Sequence, residues 1–505
     1  MLRVLQSAEF IYEQPAFSDP EYVFKHALTQ EVAYNSVLLE RRKLLHERAG
    51  AAIESLNASR LDDHLEELAR HYSRSDNACK AVEYLRLAGA QALKRSHHTE
   101  AIAHVRAALE LLPKMASATD RADAEFSLQI NLAMASMPIL GYAAPEVGNA
   151  LERAATLTKQ NRPGQPAFAV TGGLFVFHLV RADHRRANQL ANEMLEIAAA
   201  EKNEALLIEG HFVLGTNLFW LGRFDDSLKH SRLGSTVRPD LSPVNIAGSD
   251  TPSLALAYQA SCLWQLGFPE QAAKLCRQAM ARADSLNHAY SAATVRFQVV
   301  VDLLHVDADL GEREAERMIA ISAEHGFPQS ERAGKLYRNM AIVARRADPN
   351  VLAKLAASVH GFVETGVRFA IPVFCAALAK GHGEIGEPER GLTLVDEVLN
   401  FIEETSEYQM KAEIHRLKGQ LLLLQTPSNS EEAERWFRSA IDIASGQQAK
   451  SWELCATTSL ARLLRDTGRS NEAHSMLSGI YAWFTEGFDL PDLRDAKALL
   501  DELSH

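Results

Sequence analysis

A pairing of two apolar helical segments recurs along most of this chain, and it restricts the possible folds more than any other feature. In each copy the second segment has a small residue close to its start, and these residues lie about 41 positions apart on average. Because one such pair cannot cover its own apolar face, successive pairs have to stack side by side and share a core. The marker residues are Ala101, Ala150, Ala187, Ser227, Ala272, Ala315, Ala353, Gly391, Ala433 and Ala473.

The clearest copies follow the order of small and large residues that is typical of tetratricopeptide (TPR) repeats. Gly89 and Ala101 are small where two antiparallel helices approach closely, and Leu85 replaces the first large aromatic residue of the pattern. The spacing exceeds the usual TPR length of about 34 residues, which helices of about 15–18 residues explain. We therefore predict an all-α, TPR-like α-solenoid, a right-handed superhelix of about ten helix pairs. A non-repeating helical protein is the alternative.

Two stretches that break helices interrupt the repeats, at 161–166 and at 238–252. Both contain prolines and glycine, which end a helix or prevent one from continuing. We expect three regions: an N-terminal segment over 1–60, an N-terminal solenoid subarray over 61–240, and a C-terminal subarray over 241–505.

The first sixty residues read differently from the rest. Residues 9–13 and 21–26 have the composition of short strands, residues 14–20 that of a loop, and residues 27–53 that of one long helix or two with a break. Two strands followed by a helix resemble the wing of a winged-helix module, and we expect a partial winged-helix remnant here.

Several short segments resemble those of one protein family, and they are distributed along most of the chain. They are Tyr22–Tyr34, Arg41–His46, Glu413–Gly419, Ala449–Leu454 and Tyr481–Asp489. These segments resemble the C-terminal TPR region of bacterial signalling proteins that place an adenylate/guanylate cyclase domain and a STAND-type (AAA-like) ATPase before it. A more distant resemblance links the chain to MalT-like regulators.

The resemblance implies a non-catalytic regulatory scaffold that binds a protein or peptide partner in its concave groove, with a cyclase or ATPase module in cis or in trans. The ATPase motif G-x4-G-K-[ST] is absent, and Gly334-Lys335 lies within a helical segment. We therefore expect no enzyme activity and no cofactor. The chain would then be a truncated product, a split partner or a fragment. The alternatives are a fragment of an ATP-binding cyclase whose catalytic domains lie upstream, and a MalT-like transcription regulator.

Charge and hydropathy limit the partners further. Lys and Arg total 53 and Asp and Glu total 65, so the net charge is −12. A nucleic-acid partner is therefore not expected, because it selects a positive surface. The basic cluster Arg41, Arg42, Lys43 and Arg48 reads as a solvated or interdomain helix face. Apolar runs are too short to span a membrane, and the expected location is the cytoplasm without membrane attachment.

No catalytic, cofactor-binding or metal-binding residue is assigned. His26 follows the second strand, and we expect it to pack structurally rather than to sense a nucleotide. His64 and His71 lie two helical turns apart, which is too far for one metal ion. The glycine-rich stretch 382–388 reads as a turn between helices. The tryptophans are interpreted mostly as core residues, some of which would line a groove: Trp220, Trp264, Trp436, Trp452 and Trp483.

Overall fold

The computed structural model describes residues 2–14, 21–95, 97–161, 164–238 and 248–504. The chain forms two compact units, Met1–Ile139 and Leu140–His505. None of the described helices is long and apolar enough to cross a membrane.

The first unit begins with a short helix and a two-stranded antiparallel sheet, in which Ile11 pairs with Phe24 and Gln14 with Glu21. Helices follow. The elements are α1 (Leu2–Ser7), β1 (Ile11–Gln14), β2 (Glu21–Phe24), α2 (Ala27–Ser36), α3 (Leu39–Leu56), α4 (Leu65–Tyr72), α5 (Ala78–Lys94), α6 (His98–Leu111) and α7 (Ala118–Leu140), with 3₁₀ turns at Leu61–His64 and Leu112–Lys114.

The two predicted strands are confirmed, and the predicted helix over 27–53 is two helices. Val37 and Leu38 separate them, because the backbone of Val37 is extended and ends α2. Residues 15–20 of the expected loop lie outside the described residues. That the hairpin is a winged-helix remnant stays a prediction.

The described residues of the second unit form a succession of helices. They are α8 (Pro145–Asn161), α9 (Gln165–Val180), α10 (His184–Ala200), α11 (Glu204–Trp220), α12 (Phe224–Gly234), α13 (Thr251–Gln265), α14 (Pro269–Ser285), α15 (Ala289–Val306), α16 (Ala308–His325), α17 (Pro328–Arg345), α18 (Pro349–Val363), α19 (Ile371–Glu384), α20 (Pro388–Thr405), α21 (Lys411–Gln425), α22 (Ser430–Gly446), α23 (Lys450–Asp466), α24 (Ser470–Tyr481) and α25 (Pro491–Leu503). Short 3₁₀ turns lie at Tyr408–Met410 and Pro427–Asn429.

From α9 onward these helices form antiparallel pairs in two layers. Each odd-numbered helix packs against its even-numbered partner and also against the next odd-numbered helix, so the odd helices form the inner layer. The inner helix α13 is buried along nearly its whole length, whereas the outer helix α14 buries one stripe that includes Ala272, Cys276, Ala279 and Ala283. A single apolar stripe is what a helix with one neighbouring layer requires.

Nine of the ten marker residues are buried near the start of a second helix, as predicted. Ala353 is the exception, because its side chain is exposed. Leu352 takes the inward position instead and lies against Gly381, where a Cβ would come within 2.5 Å of the Leu352 Cδ2 atom. The small residue at this contact is therefore Gly381 of α19, the first helix of the next pair.

The predicted interruptions fall between helices. Helix α8 ends at Asn161 and α9 begins at Gln165, while α12 ends at Gly234 and α13 begins at Thr251. Residues 162–163 and 239–247 lie outside the described residues. The domain boundaries expected at 60 and 240 stay predictions.

Within the second unit, the solenoid winds far enough for one part to contact a part five repeats further along. His184 contacts Glu407, 223 positions away, and the Ser451 hydroxyl donates to the Trp264 carbonyl, 187 positions away. At a third place, the Glu486 carboxylate accepts hydrogen bonds from the backbone N–H groups of Glu270 and Gln271 at the start of α14. One superhelical turn therefore comprises about five repeats.

The first of these contacts is wholly buried. The Asn217 side-chain N–H donates to the His184 carbonyl at 3.1 Å, which leaves its Oδ1 to accept from His184 Nδ1 at 3.2 Å. The His184 Nε2 and Glu407 Oε2 atoms, 3.3 Å apart, then share one proton. Ala370 N–H donates to the other oxygen of Glu407, and burial raises the pKa of this carboxyl.

Candidate functional site

The candidate site is a cavity of about 340 Å³ on the inner layer of the second unit. Five successive first helices and the C-terminal helix α25 line it. The floor is apolar, and its members are Val301, Leu304, Met340, Val343, Ala344, Val373, Ala376, Ala377, Met410 and Leu417. The superhelical curvature thus brings side chains together from residue 301 to residue 495.

An ion pair on α21 forms one wall. Arg416 donates two hydrogen bonds of 2.6 Å to the two carboxylate oxygens of Glu413, and its Nη1 reaches the Ser459 hydroxyl on α23 at 3.3 Å. Both charged side chains are nearly buried. Burial alone would lower the pKa of Arg416, but the charge and hydrogen bonds of Glu413 outweigh it and raise the pKa. A two-pronged pair of this kind fixes the position of both side chains.

The rings of His305 and Trp452 form another part of the lining. The His305 ring stacks on Trp264 with centroids 4.2 Å apart, and Trp452 meets both rings edge-on at 5.5 Å and 4.8 Å. Burial lowers the pKa of His305 although the charges of Asp492 and Glu413 oppose it, so the ring is neutral at pH 7. The Trp452 indole N–H is buried and has no acceptor among the described residues.

Helix α25 contributes two carboxylates to the edge of the cavity. Asp495 pairs with Arg462 of α23. Asp492 lies beside the Cys455 thiol, whose pKa is raised well above its ordinary value by burial and by the charge of Asp492. The cavity therefore combines an apolar floor with charged groups from three inner helices and α25.

The histidines considered for metal binding do not converge. His64 lies against Glu67 of its own helical turn, whereas His71 faces His46 of α3, with the two Nδ1 atoms 3.1 Å apart. Among the residues that the structure describes, no group of three or more His, Cys, Asp or Glu side chains is placed to hold a metal ion.

His26 is exposed just before α2, so the packing role expected for it is wrong. Residues 385–387 of this glycine-rich stretch form the turn between α19 and α20, as predicted, with His382 at the end of α19 bound to Glu387 at 2.9 Å and Gly386 at a positive φ of 80°. Gly334 and Lys335 lie inside α17.

The basic cluster on α3 is partly neutralised. Lys43 pairs with Glu40 and Asp76, and the Arg42 guanidinium lies over the Tyr34 ring. Arg41 and Arg48 are exposed, in keeping with the solvated face that we expected.

The tryptophans divide between core and surface. Trp220, Trp264 and Trp452 are buried, and Trp452 also lines the cavity, as the groove interpretation allowed. Trp436 is half-buried under Lys418, and Trp483 is exposed.

Sequence reasoning missed the polar residues of the cavity. Glu413 and Arg416 had a usable signal, since opposite charges three positions apart on one helix can pair. Asp492 and His305 had none, because the segments that carry them meet only through the curvature of the solenoid.

Comparison with known proteins supports the fold but does not show which family the chain belongs to. No family model matches the chain. An uncharacterized protein of Rhizobium meliloti is 23% identical over 453 residues, which are 88% of this chain and 43% of that protein. The chain thus spans less than half the length of this curated relative.

Two solved structures are similar in backbone. A Rap protein complexed with Competence and Sporulation Factor superposes with a TM-score of 0.50 at 13% identity, over 73% of this chain and 99% of that one. A STAND protein with a tetratricopeptide repeat sensor from Pyrococcus horikoshii gives 0.34 at 13% identity, over 71% and 55%. Of the two, the Rap structure is close enough to bear on the fold. The predicted all-α, TPR-like α-solenoid is confirmed.

Proposed function

We propose that this chain is a non-catalytic interaction and regulatory scaffold of a signalling system, and that the cavity over residues 301–495 is where a peptide or protein partner engages. The observation that carries the proposal is the lining of the cavity. Side chains from five consecutive first helices point toward one space, and they combine apolar contact area with fixed polar groups. Protein sites that bind ligands have this composition.

The signalling role is the finer part of the proposal. The chain resembles the TPR region of cyclase–ATPase proteins, and it matches part of a relative more than twice its length. Both support a region that senses a partner and restrains or releases a catalytic module, in cis or in trans. A MalT-like regulator is the more distant version of the same arrangement, and a cytoplasmic location fits either.

The test is a screen of short synthetic peptides for a rise in the melting temperature of the purified chain. Ligands that bind only the folded state stabilise it by mass action. Ala377 lines the cavity, so Ala377→Phe fills it from a half-buried position. Ala357 is exposed on the outer helix α18, and Ala357→Phe is the matched control.

We expect peptides that stabilise the wild type and Ala357→Phe but not Ala377→Phe. The scaffold proposal fails if no peptide shows this dependence on residue 377. Measured ATP turnover by the purified chain would contradict the non-catalytic part, and salt-sensitive, submicromolar DNA binding would favour a transcription regulator instead.

A further inference from the structure

The outer face of α3 is an exposed stripe on which two charged residues flank a leucine. Gly50, which lies against Tyr72 of α4, marks the inner face of this helix. Away from that face, Glu40, Leu44 and Arg48 follow one another at intervals of four residues, which places them on one stripe. All three side chains are exposed, and Leu44 is exposed by 55%. The described part of the chain therefore leaves this leucine uncovered.

Both charged residues of the stripe are able to form a further ion pair. Arg48 takes part in no ion pair among the described residues. Glu40 binds Lys43 at 3.0 Å through one carboxylate oxygen, and its side chain is 77% exposed. Lys43 also pairs with Asp76 at 3.0 Å, so it keeps an acidic partner when Glu40 turns outward. Glu40 and Arg48 are thus free to pair with a second molecule.

The order of the three residues matches a second copy of α3 that runs in the opposite direction. When Leu44 of one copy lies against Leu44 of the other, position 40 of each copy is level with position 48 of its neighbour, because both are four residues from the centre. Each Glu40 then meets an Arg48, and the two-fold symmetry provides this contact twice. A parallel pairing would set like charges against each other, which is unfavourable. The stripe is therefore self-complementary in the antiparallel direction.

Side-chain size fits the same arrangement. Leu38 directly precedes α3 and is 80% exposed. In the antiparallel pair it comes close to the level of Ala51 and Ala52 of the other copy, which are both small and exposed. A large side chain meets small ones at each end of the contact, while the two Leu44 side chains meet at its centre. Large side chains that enter the spaces beside small ones are what closely paired helices require.

We propose that the outer face of α3 binds the outer face of α3 of a second copy of this chain, in an antiparallel homodimer. The contact is isologous, since the same residues serve both copies. It goes beyond the scaffold function and does not depend on the cavity. Because one pair of helices forms a small interface, we expect reversible association at micromolar concentrations.

Sedimentation velocity of the full chain at about 1–100 µM measures this association, a range that spans the affinities of weak interfaces. We expect the wild type to change from monomer to dimer across it. Glu40→Arg gives the contact four positive charges, and Arg48→Glu gives it four negative charges. Each variant alone should therefore dimerise at least about tenfold more weakly than the wild type.

A mixture of the two variants is the sharpest test. One variant then supplies both positive charges at each end of the contact and the other both negative ones, so an equimolar mixture should associate about as tightly as the wild type does with itself. The control is Glu110→Arg, which makes the same change of charge at an exposed position of α6 and should leave dimerisation unaltered. Circular dichroism checks that every variant keeps the helical fold.

The proposal is overturned if the wild type remains monomeric over this range, if either charge reversal leaves the dimer as tight as before, or if the mixed variants do not associate. A loss of dimer in Glu110→Arg equal to that in Glu40→Arg would trace the effect to net charge and would overturn it as well. None of these outcomes changes the expected binding of peptides in the cavity.

Discussion

The described residues of 2–56 and of the solenoid over 140–504 both include apolar helix positions, but the solenoid buries these side chains and the first region leaves most of its leucines exposed. Helix α2 has no buried residue, and Gly50 is the one buried residue of α3. In α13, by contrast, all but two of the 15 residues are buried. Large exposed side chains in the first region include Leu28 at 70%, Leu38 at 80% and Leu56 at 83%.

The difference shows that the repeats are what buries the apolar side chains of the helices. An apolar helical stripe is buried only if a neighbouring helix presents a complementary stripe, and in the solenoid each pair provides one for the next. Among the described residues, α3 packs on α4 where Gly50 lies against Tyr72, but the leucines of α2 and α3 are exposed. An exposed apolar surface of this kind is typical of an interaction site. Because the two regions differ in burial, substitutions in the solenoid should have large effects on stability, and substitutions on α2 should have small ones.

The largest effect is expected at Arg296, which is 1% exposed in α15. It binds both oxygens of Asp284 at 2.9 and 3.0 Å and Glu314 at 2.9 Å, and so joins α14, α15 and α16. Arg296→Met leaves Glu314 without its cation and Asp284 with only the more exposed Arg317, which should lower the free energy of unfolding by about 3–5 kcal/mol. Urea unfolding followed by circular dichroism measures it.

The control is Arg223→Met, which breaks the exposed pair with Asp226 and should change stability by less than about 1 kcal/mol. Equal effects of the two substitutions would mean that the network of Arg296 is no more important than a surface ion pair.

Next in size is a pH effect from Asp302, a buried carboxyl that accepts from the Ser261 hydroxyl at 2.6 Å. Burial raises its pKa from 3.8 to about 7, although the bond from Ser261 opposes the shift. Between pH 4 and 7 the folded chain keeps a proton that the unfolded chain has lost. Stability therefore falls as pH rises through this window and stays at the lower level above it.

Asp302→Asn removes that proton equilibrium, so the variant should match the wild type near pH 4 and exceed it at pH 8, by up to about 4 kcal/mol. Urea midpoints at pH 4.5, 6 and 8 measure the difference. Asp501→Asn, at an exposed site, should leave the wild-type slope unchanged. A slope that persists in Asp302→Asn would show that other groups produce it.

Whether a contact in the fold or in the cavity could be predicted depends on how far apart in the sequence the contacting residues lie. The period, the helices and nine of the ten markers follow from local rules, since a small residue and its apolar neighbours lie within one helix pair. The prediction failed at Ala353 because Leu352, one position earlier, fills the inward place against Gly381 of α19, the first helix of the next pair.

The contacts between superhelical turns were not predictable in this way. His184 and Glu407 meet because each repeat is rotated slightly relative to the one before it, and these rotations add up over five repeats. No local sequence pattern predicts the total rotation. The cavity shares this origin. The pair Glu413 and Arg416 lies three positions apart on one helix and could be recognised in the sequence, whereas the approach of Asp492 to Cys455 depends on where α25 packs.

A smaller effect is expected where two helices touch through a glycine. Gly234 ends α12, and a Cβ there would lie 2.7 Å from the Cα atom of Phe212 in α11. Because backbone cannot yield as a side chain can, Gly234→Ala should destabilise the chain by about 1–3 kcal/mol. Gly446 ends α22 with nothing within 4 Å of its would-be Cβ, and Gly446→Ala should be neutral or stabilising by up to about 1 kcal/mol. Thermal melts of the two variants compare them, and a destabilised Gly446→Ala would refute the role of close contact.

The smallest effect is expected in α2. Leu28 and Val32 are 70% and 62% exposed and lie one helical turn apart on the same face. Leu28→Gln and Val32→Gln should each change the urea midpoint by the equivalent of less than about 0.5 kcal/mol, because no packing is lost. Leu336→Gln places the same side chain at a fully buried position of α17 and should destabilise by at least about 3 kcal/mol. A loss at Leu28 comparable to that at Leu336 would mean that α2 is covered in solution, and the contrast between the two regions would then disappear.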